Sequence, residues 1–308
     1  MTTALAEPRG ARATEEISLA TALSTRPRRS WTNILFIAAA HLAAAYAIVH
    51  ICVFHVSWWT VGLAVLWYAL CGFAITGGYH RLFSHRSHSA HFLVRLFHLL
   101  FGAASVQNSA LKWSSDHRVH HSKTDEDEDP YSVMHGFWWA HIGWIFFTDS
   151  RARRDNVKDL QRDPLVRFQD RFYIPLAILF GVVVPTAIGF AWGDPLGALL
   201  VAGFLRLVVQ WHATFSVNSV AHTIGSRPYS TDISARDSFW TALITMGEGY
   251  HNFHHRFQAD YRNGIRWWQF DPTKWAIRSL SFVGLTRDLR RTPKAAIGRA
   301  RASVAAIR

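Results

Sequence analysis

The chain has 308 residues and a formal net charge of +12, and 50% of its residues are hydrophobic. That length allows one large domain or two small ones. The excess of Lys and Arg would suit a nucleic-acid-binding protein, but no recognition motif accompanies it, which argues against that class. Residues 1–30 contain no apolar segment of the kind that a signal peptide needs, and we expect a polar, poorly ordered tail there.

Four stretches are apolar for about twenty residues, the length that an α-helix needs to cross the hydrocarbon core of a bilayer. Within each pair, the two stretches are joined by a very short turn, at residues 55–57 and 193–196. The sequence therefore predicts an all-α membrane protein with four transmembrane helices in two hairpins. The predicted spans are Ile34–Phe54, Trp58–Thr76, Tyr173–Trp192 and Gly197–Val217.

Lys and Arg are unevenly distributed around these spans. Both hairpin turns lack them, whereas Arg26, Arg28 and Arg29 precede the first span and the segment between the hairpins contains many. Because basic residues stay on the cytoplasmic side of a membrane, we expect both termini and the middle segment to be cytoplasmic, with the protein in the cell membrane if its source is bacterial. Cys52 and Cys71 both lie in predicted spans, so we expect no disulfide framework.

The segments outside the spans are predicted to form a helical cap on the cytoplasmic face. The apolar residues from Phe92 to Leu100 are interrupted by polar ones, which predicts an amphipathic helix at the membrane surface. Residues 136–147 are rich in tryptophan, which suits the interface, but are too short to span. We expect the membrane domain to cover residues 31–290 and a basic tail to cover 291–308. Residues Arg287 to Arg308 are expected to fray or lie on anionic lipid.

Half of the eighteen histidines fall into patterned clusters near the ends of the predicted spans. Two clusters have the form His-x-x-His-His, and positions i, i+3 and i+4 share one face of a helix, so each presents three imidazoles on one side. Asn218 and His222 share a face in the same way. The nine candidate metal ligands are His80, His85, His117, His120, His121, His222, His251, His254 and His255.

Nine imidazoles exceed what one metal can hold, whereas two metals share them and leave room for water or oxygen. His80 and His85 lie about 140° apart on a regular helix, which favours two metals or a helix that breaks between them. Imidazole suits zinc, copper, iron and nickel; we favour iron, because redox-inert zinc would give the tunnel described below no purpose. We expect the remaining histidines to be satisfied by neighbours: His41, His50, His55, His88, His91, His98, His135, His141 and His212.

Carboxylates next to the clusters have a different predicted role. Glu248 and His251 form Glu-x-x-His, but a carboxylate-bridged di-iron bundle needs two such motifs. We therefore expect Glu248, and similarly Asp116, to orient an imidazole through its other nitrogen. The acidic residues 125–129 have the composition of a metal site, although a solvated loop with one or two members turned towards the histidines is favoured.

The second predicted span contains a candidate tunnel floor. Tyr68, Gly72, Thr76 and His80 recur every four residues and form one stripe, in which Gly72 leaves room and Tyr68 would close the passage about 18 Å from His80. The alternative is an ordinary helix-packing seam, where small residues are common. The tunnel is the favoured interpretation.

Four segments carry a resemblance to one family. They are residues 77–85 (GGYHRLFSH), 113–121 (WSSDHRVHH), 218–222 (NSVAH) and 247–255 (GEGYHNFHH). Their spacing, order and flanking residues, from about residue 32 to about residue 290, resemble those of the membrane-bound stearoyl-CoA (delta-9 acyl-CoA) desaturases. The resemblance implies that the nine histidines bind two irons, that Asn218 holds one iron through a water, and that O2 is the co-substrate.

The resemblance also implies a cis double bond placed by a bent tunnel, shaped by residues that match Gln107, Trp113 and Thr214. Two positions depart from the family. Ser115 stands where the animal enzymes have an arginine near the CoA, and Phe215 replaces a tunnel tryptophan. The substrate head group is therefore open between CoA, acyl carrier protein and a glycerolipid.

Two further features concern partners. Four basic residues would contact anionic phosphates or an acidic redox partner, or simply lie in a solvated loop: Arg151, Arg153, Arg154 and Lys158. The resemblance implies a separate electron donor, a ferredoxin or a cytochrome b5-like protein with its reductase. Arg206 lies inside a predicted span, where a charge is costly and usually paired, and the sequence does not identify its partner.

Two other functions remain open at this point. One is a membrane di-iron hydroxylase acting on alkanes or sterols, although such families space their histidines differently. The other is a metal-binding sensor or transporter, whose histidines would line a path within the spans rather than cluster beyond their ends.

Overall fold

The computed structural model describes residues 28–148 and 154–307, so most of the predicted N-terminal tail, Arg151 and Arg153 lie outside the described residues. The described part is mostly helical, which confirms the predicted fold class. In chain order the helices are α1 (Trp31–Val53), α2 (Trp58–Ser84), α3 (Phe92–Ala103), α4 (Ala110–Ser122), α5 (Phe137–His141), α6 (Lys158–Gln161), α7 (Pro164–Arg171), α8 (Tyr173–Trp192), α9 (Pro195–Thr223), α10 (Phe239–Ile244), α11 (His251–Arg256), α12 (Pro272–Phe282) and α13 (Lys294–Ile307).

Four short strands form two antiparallel pairs that tie distant segments together. The strands are β1 (Arg28–Arg29), β2 (Ser89–Ala90), β3 (Phe147–Thr148) and β4 (Thr286–Arg287). β1 pairs with β3, placing Arg29 opposite Phe147, and β2 pairs with β4, placing Ala90 opposite Thr286. The second pair holds the C-terminal segment against the connection between α2 and α3.

Helices α1, α2, α8 and α9 are long and apolar enough to cross a membrane, with mean hydropathy between 1.5 and 2.2. They form the two predicted hairpins, and their turns meet on one side of the molecule. There the Thr60 hydroxyl donates to Asp194 Oδ2 at 2.6 Å, and the backbone N–H of Ser57 lies 3.3 Å from the same oxygen. One carboxylate thus joins the two hairpins at the end away from the nine predicted ligands.

The predicted ends of two spans are wrong. α2 continues past Thr76 to Ser84, and α9 continues past Val217 to Thr223. From Ala74 to Ser84 the helix is a π-helix, and all of its residues are buried beneath the cap. Because this burial is by protein rather than by lipid, polar residues are tolerated, and His80 and His222 lie within the ends of the spanning helices.

Two further π-helical segments occur in the second hairpin, at Leu179–Val183 in α8 and Ala198–Leu205 in α9. A π-helix disturbs the regular i→i−4 hydrogen bonding of the backbone. Arg206 bonds to a carbonyl in each segment: its Nε donates to Ala202 O at 3.0 Å, and its Nη2 donates to Gly181 O at 3.1 Å. A third bond goes to Ala104 O at 3.1 Å. The partners of this buried charge are therefore backbone carbonyls of α8, of α9 and of the residue after α3, together with Gln210 Oε1 at 3.3 Å.

The surface position predicted for α3 is only partly correct. Phe92 and Leu93 are 51% and 60% exposed, but His98 and Leu99 are 0% and 2% exposed because α3 packs against the π-helical end of α2. Glycines allow this close approach: a Cβ at Gly78 would lie 2.5 Å from His98 Cβ. α3 is therefore a packed helix with one free end.

Residues 136–147 form no helix long enough to span, as predicted. They contain α5, which is flanked by two short 3-10 turns, Val133–His135 and Gly143–Phe146. The predicted fraying of the C-terminal tail is wrong. α13 buries Ile297, Ala300 and Val304, and Ile297 and Ala300 belong to a cluster with Tyr229 and Phe253. Apolar residues spaced three and four apart give this basic helix a face that packs on the cap.

Candidate metal centre

The nine predicted histidines converge at the histidine-bearing ends of the spans and divide into two groups. Within each group, the candidate ligand nitrogens all lie within 4.8 Å of one another. The first group contains His80, His85, His117, His121 and His254, and the second contains His120, His222, His251 and His255. Each group could hold one metal ion.

His80 and His85 lie in the same group, which contradicts the expectation of separate metals; the alternative, an interruption of the regular helix between them, takes the form of a π-helix. A regular α-helix would separate positions i and i+5 by about 140°. The π-helix instead closes i→i+5 hydrogen bonds, and the backbone N–H of His85 donates to His80 O at 3.1 Å. The two rings therefore lie on one side, with centroids 4.9 Å apart.

Each His-x-x-His-His motif divides between the groups. α4 contributes His117 and His121 to the first group and His120 to the second. α11 contributes His254 to the first and His251 and His255 to the second. Each of these helices thus presents three imidazoles on one side, as predicted. These three imidazoles are shared between the two groups.

The facing nitrogens are spaced as metal ligands would be. His80 Nε2 lies 2.9 Å from His254 Nε2, which lies 3.0 Å from His121 Nε2. In the second group, His255 Nε2 lies 3.0 Å from His251 Nε2 and 3.2 Å from His120 Nε2. Imidazole–metal bonds of about 2.1 Å place neighbouring ligand nitrogens roughly 3 Å apart. The donor set therefore fits a transition metal in each group.

Several Nδ1 atoms have acceptors that leave the Nε2 lone pair free for a metal. His80 Nδ1 donates to Glu248 Oε2 at 2.9 Å, as predicted for this carboxylate. Arg81 Nη2 donates to Glu248 Oε1 at 2.9 Å. Burial alone would raise the pKa of Glu248, but His80 and Arg81 outweigh it and lower that pKa to about 2. Glu248 is therefore a charged partner that holds His80 in one orientation.

The acidic loop supplies two further partners, in agreement with the favoured prediction for residues 125–129. Asp129 Oδ2 accepts from His120 Nδ1 at 2.8 Å. His222 Nδ1 donates to Ser234 Oγ at 2.7 Å, and Ser234 in turn donates to Asp125 Oδ1 at 2.5 Å. Asp125 and Asp129 thus act on imidazoles of the second group, one directly and one through a hydroxyl.

Six imidazoles outside the spanning helices are held in the neutral form that binds metals. Burial lowers the pKa of each well below its ordinary value of 6.5, and the other imidazoles of the cluster, which would repel an added positive charge, lower it further. The histidines concerned are His85, His117, His121, His251, His254 and His255.

A cavity of about 1160 Å³ runs from this centre between the spans. His80, His117 and Asn218 form part of its wall beside the histidine groups, whereas Leu207 and Val182 line it further along. All seven residues predicted to shape a tunnel line this cavity: Tyr68, Gly72, Thr76, Gln107, Trp113, Thr214 and Phe215. The structure therefore brings the predicted tunnel residues together with two of the predicted ligands.

Details of the cavity wall differ from the prediction. The space beside Gly72 is filled by Met246, whose Sδ would lie 2.2 Å from an added Cβ. The Tyr68 hydroxyl donates to Ile244 O at 3.2 Å, which connects α2 to α10. Gln107 Nε2 donates to Thr214 Oγ1 at 3.0 Å across the wall. Glycine at position 72 thus permits close packing by Met246.

The other predicted residues lie as follows. Asp116 lines the cavity and accepts from Lys112 Nζ at 2.5 and 2.6 Å, a contact that orients no imidazole. Arg154 lies 3.3 Å from Asp170, and Lys158 is exposed. Ser115 is 1% exposed, and its hydroxyl donates to Asn156 at 2.8 Å.

None of the nine other histidines belongs to the two groups in the part of the chain that the structure describes. Three of these other histidines are linked to one another by hydrogen bonds. His41 Nε2 lies 3.0 Å from His212 Nε2, and His212 Nδ1 lies 3.0 Å from His141 Nε2. His141 Nδ1 then lies 2.9 Å from Ser219 Oγ.

Sequence reasoning missed several residues that support the centre. Asn263 Nδ2 donates to Glu248 Oε2 at 2.6 Å, and Asp271 pairs with Arg81 at 3.0 Å. Thr124 Oγ1 lies 3.3 Å from His255 Nδ1. No local pattern marks these residues, because each reaches the centre from a different segment of the cap.

The comparisons with known proteins agree with this arrangement. Residues 56–281 match the family model described as fatty acid desaturase. The chain is 48% identical to acyl-CoA desaturase 1 of Saccharomyces cerevisiae over 238 residues, covering 76% of this chain and 46% of the yeast protein. It is 38% identical to stearoyl-CoA desaturase 5 of Bos taurus over 275 residues, covering 86% and 80%.

A third relative is the delta(9)-fatty-acid desaturase fat-7 of Caenorhabditis elegans, 37% identical over 265 residues, with 84% of this chain and 78% of the relative covered. The chain spans about half the length of the yeast relatives, 46% and 50%. The family match covers most of the chain, including both histidine groups and all the cavity-lining residues except those on α1. This integral membrane protein belongs to the fatty acid desaturase family.

Proposed function

We propose that the protein is an oxidoreductase that inserts a cis double bond, at the delta-9 position, into a long-chain saturated acyl-CoA such as stearoyl- or palmitoyl-CoA, in unsaturated fatty acid biosynthesis. One observation carries the proposal: two neighbouring groups of imidazoles could each hold a metal ion, and His80 and His117 of the first group line a cavity of about 1160 Å³ between the spans. The names of the relatives, which are acyl-CoA and delta-9 desaturases, support the substrate and the position.

The metals are proposed to be two irons, held by the five histidines of the first group and the four of the second. Asn218, on the cavity wall, would reach one of them through a water. Bound iron would supply the oxidising power to break an unactivated C–H bond, which no side chain possesses. One O2, two electrons and two protons, together with two hydrogens from the substrate, balance as two waters and one C=C bond.

The chain's own residues would position the substrate. Trp113 stacks on His117 with ring centroids 4.7 Å apart, so it can hold a methylene pair beside the first group. The Gln107–Thr214 hydrogen bond, at 3.0 Å, braces the opposite wall. A bent acyl chain held between these walls would present one carbon pair and lose its hydrogens from one side, which favours a cis product.

Head group, orientation and partners are also part of the proposal. Lys112 borders the cavity and is one cation that anionic phosphates of CoA could reach; acyl carrier protein and glycerolipid are the alternatives. Arg154 and Lys158, with Arg151 and Arg153 outside the described residues, would contact those phosphates or an acidic donor. We propose a cytoplasmic histidine face, with electrons from a ferredoxin or a cytochrome b5-like protein.

The test is a metal count and product analysis of the purified protein in lipid, supplied with stearoyl-CoA and a ferredoxin system. The expected result is two irons per chain and a delta-9 monoene that requires O2 and disappears with an iron chelator. A new alcohol in place of the monoene would support a hydroxylase. Bound metal with neither product nor O2 consumption would support a sensor or transporter. Product from acyl carrier protein alone would reassign the head group.

A further inference from the structure

A second cavity, of about 280 Å³, lies in the cap between the loop before α12 and the start of α13. Four of its lining residues are cationic, and two are isoleucines: Arg262, Arg266, Arg291, Lys294, Ile265 and Ile297. This combination of several cations beside an aliphatic surface is absent from the first cavity and has no role in the proposed reaction.

The cations of this cavity are only partly neutralised. Arg262 is paired with Asp260, which receives bonds of 2.9 Å from its Nε and its Nη2. Arg291 donates to the Tyr261 hydroxyl at 3.0 Å, a neutral group. Neither Arg266 nor Lys294 forms an ion pair with any of residues 28–148 or 154–307. Three of the four positive charges therefore remain for an anion.

The cavity adjoins a surface suited to the membrane interface. Trp267 and Trp268 are 85% and 54% exposed, and Arg266 lies over the Trp268 ring at 5.5 Å from its centroid. Trp275 follows on α12 and is 42% exposed. Exposed tryptophans next to arginine are typical of segments at the level of lipid headgroups.

The contact between α12 and α2 sets the depth of this surface. Thr273, in the first turn of α12, lies 2.6 Å from Thr76, hydroxyl to hydroxyl. Thr76 is inside the second spanning helix, eight residues before its end at Ser84. The tryptophans that follow Arg266 are therefore attached to a helix that begins alongside a membrane span.

We infer that this cavity is a binding site for the phosphate of an anionic phospholipid headgroup in the leaflet on the histidine side. Arg266, Arg291 and Lys294 would bind the phosphate oxygens. Trp267 and Trp268 would lie among the neighbouring headgroups, and Ile265 and Ile297 would contact the glycerol and the first acyl carbons. Because Ile297 packs in the cluster with Phe253, one residue before His254, a bound lipid would hold α13 against the helix that bears three of the histidines.

The experiment compares the full chain in detergent micelles containing phosphatidylglycerol or phosphatidylcholine. Phosphatidylglycerol is expected to raise Tm by roughly 3 °C relative to phosphatidylcholine. The variant R266E/K294E should lose this difference while keeping its Tm in phosphatidylcholine; R266Q/K294Q provides a milder pair if charge reversal impairs folding. The matched control is R299E, an exposed cation on α13 outside the cavity, which should retain the difference.

Four outcomes would overturn the inference. Equal Tm values in the two lipids would show that the cavity does not bind the anionic headgroup. An equal loss in R299E would mean diffuse attraction to a charged surface rather than a defined cavity. Stabilisation by inorganic phosphate as large as that by phosphatidylglycerol would mean a site for a free anion. A raised KM for the electron donor, with the lipid effect intact in R266E/K294E, would assign the surface to an acidic protein. None of the Tm readouts depends on desaturase activity.

Discussion

Glu248 connects the metal centre to the cap through single contacts with several segments. It accepts from His80, from Arg81 and from Asn263, and it is only 4% exposed. A buried carboxylate with this many donors remains charged, and the charge determines which nitrogen of His80 faces the centre. The remaining donors keep the carboxylate itself from rotating.

Replacing Glu248 with Gln is therefore expected to weaken iron binding or turnover by about 10- to 100-fold. The amide can still accept from His80, but it no longer carries the charge that pairs with Arg81. Iron per chain and monoene formation are the measurements. Glu126→Gln is the matched control, because Glu126 is an exposed carboxylate of the same cap paired with Lys123 at 2.8 Å. Full iron content and activity in Glu248→Gln would contradict the assigned role.

Tyr68→Ala is expected to let longer acyl chains be used, since Tyr68 lines the cavity on the stripe that leads away from His80. Tyr68→Phe separates the ring from the hydroxyl, which bonds to Ile244 O at 3.2 Å. The phenylalanine variant should keep the original chain-length profile. Gas chromatography of the products from a series of acyl-CoA lengths gives the chain-length profile. An unchanged profile in Tyr68→Ala would contradict the proposal that Tyr68 closes the tunnel.

Most residues of the metal centre could be predicted from the sequence, because clustered imidazoles at helical spacing indicate a metal site directly. The residues that orient the imidazoles could be predicted only in part. Glu248 and the acidic loop lie close to histidines along the chain, whereas Ser234 and Asn263 do not. Which member of the acidic loop turns inward depends on the folded cap, and no local pattern contains that information.

At the scale of elements, the π-helix at Ala74–Ser84 is the feature that sequence reasoning could not supply. The choice between α and π hydrogen bonding depends on the packing around the helix, and the residues themselves are ordinary. Here α3 presses against the π-helical turns through Gly78 and His98. The order of α13 was also mispredicted. Its many basic residues suggested a frayed tail, whereas Ile297, Ala300 and Val304 form an apolar face that packs on the cap.

Gly78→Ala is expected to destabilise the protein by about 1–3 kcal/mol, the usual cost of overpacking. The new methyl would lie 2.5 Å from both Cβ and Cγ of His98. Gly62→Ala is the matched control in the same helix, since nothing lies within 4 Å of a Cβ there. Thermal unfolding in one detergent measures both variants.

A second variant distinguishes the clash from other causes. Adding His98→Gly to Gly78→Ala removes both the Cβ and the ring that the methyl meets, so the pair should cost less than the sum of the two single changes. Strict additivity would show that the close approach of α3 does not determine the effect of Gly78→Ala.

At the scale of the whole molecule, the buried imidazoles set the response to acid. Six histidines outside the spans have pKa values lowered well below 6.5 by burial. In the unfolded chain the same groups take up protons near 6.5. The contribution of these imidazoles to the free energy of unfolding is therefore fully present above about pH 6.5. Below that pH the free energy of unfolding falls by about 1.4 kcal/mol per pH unit for each imidazole that stays neutral in the folded protein.

The metal-free protein is accordingly expected to lose Tm steeply between about pH 7.5 and about pH 5.5. Adding Fe2+ at the higher pH should raise Tm, because the metal binds the folded chain alone. A Tm that stays flat across this range in the metal-free protein would contradict the buried, neutral state of the six imidazoles.

The overall architecture was the easiest part to predict, since four apolar stretches with two short turns allow few arrangements. The second and fourth spanning helices were predicted to end too early. Both α2 and α9 continue from lipid into the protein cap, where polar residues are tolerated and therefore do not mark the end of a helix. The domain limits at residues 31 and 290 stay predictions, and α13 lies beyond the second limit although it packs on the cap.

That packing has a consequence for the order in which the protein matures. The centre draws on histidines from residue 80 to residue 255, while the helix that supports α11 from behind begins only at Lys294. A chain emerging from the ribosome is expected to expose Phe253 and Tyr229 until α13 has been made. We therefore expect metal loading to wait for α13, and a ribosome-bound nascent chain that ends before Lys294 should not retain the full complement of metal.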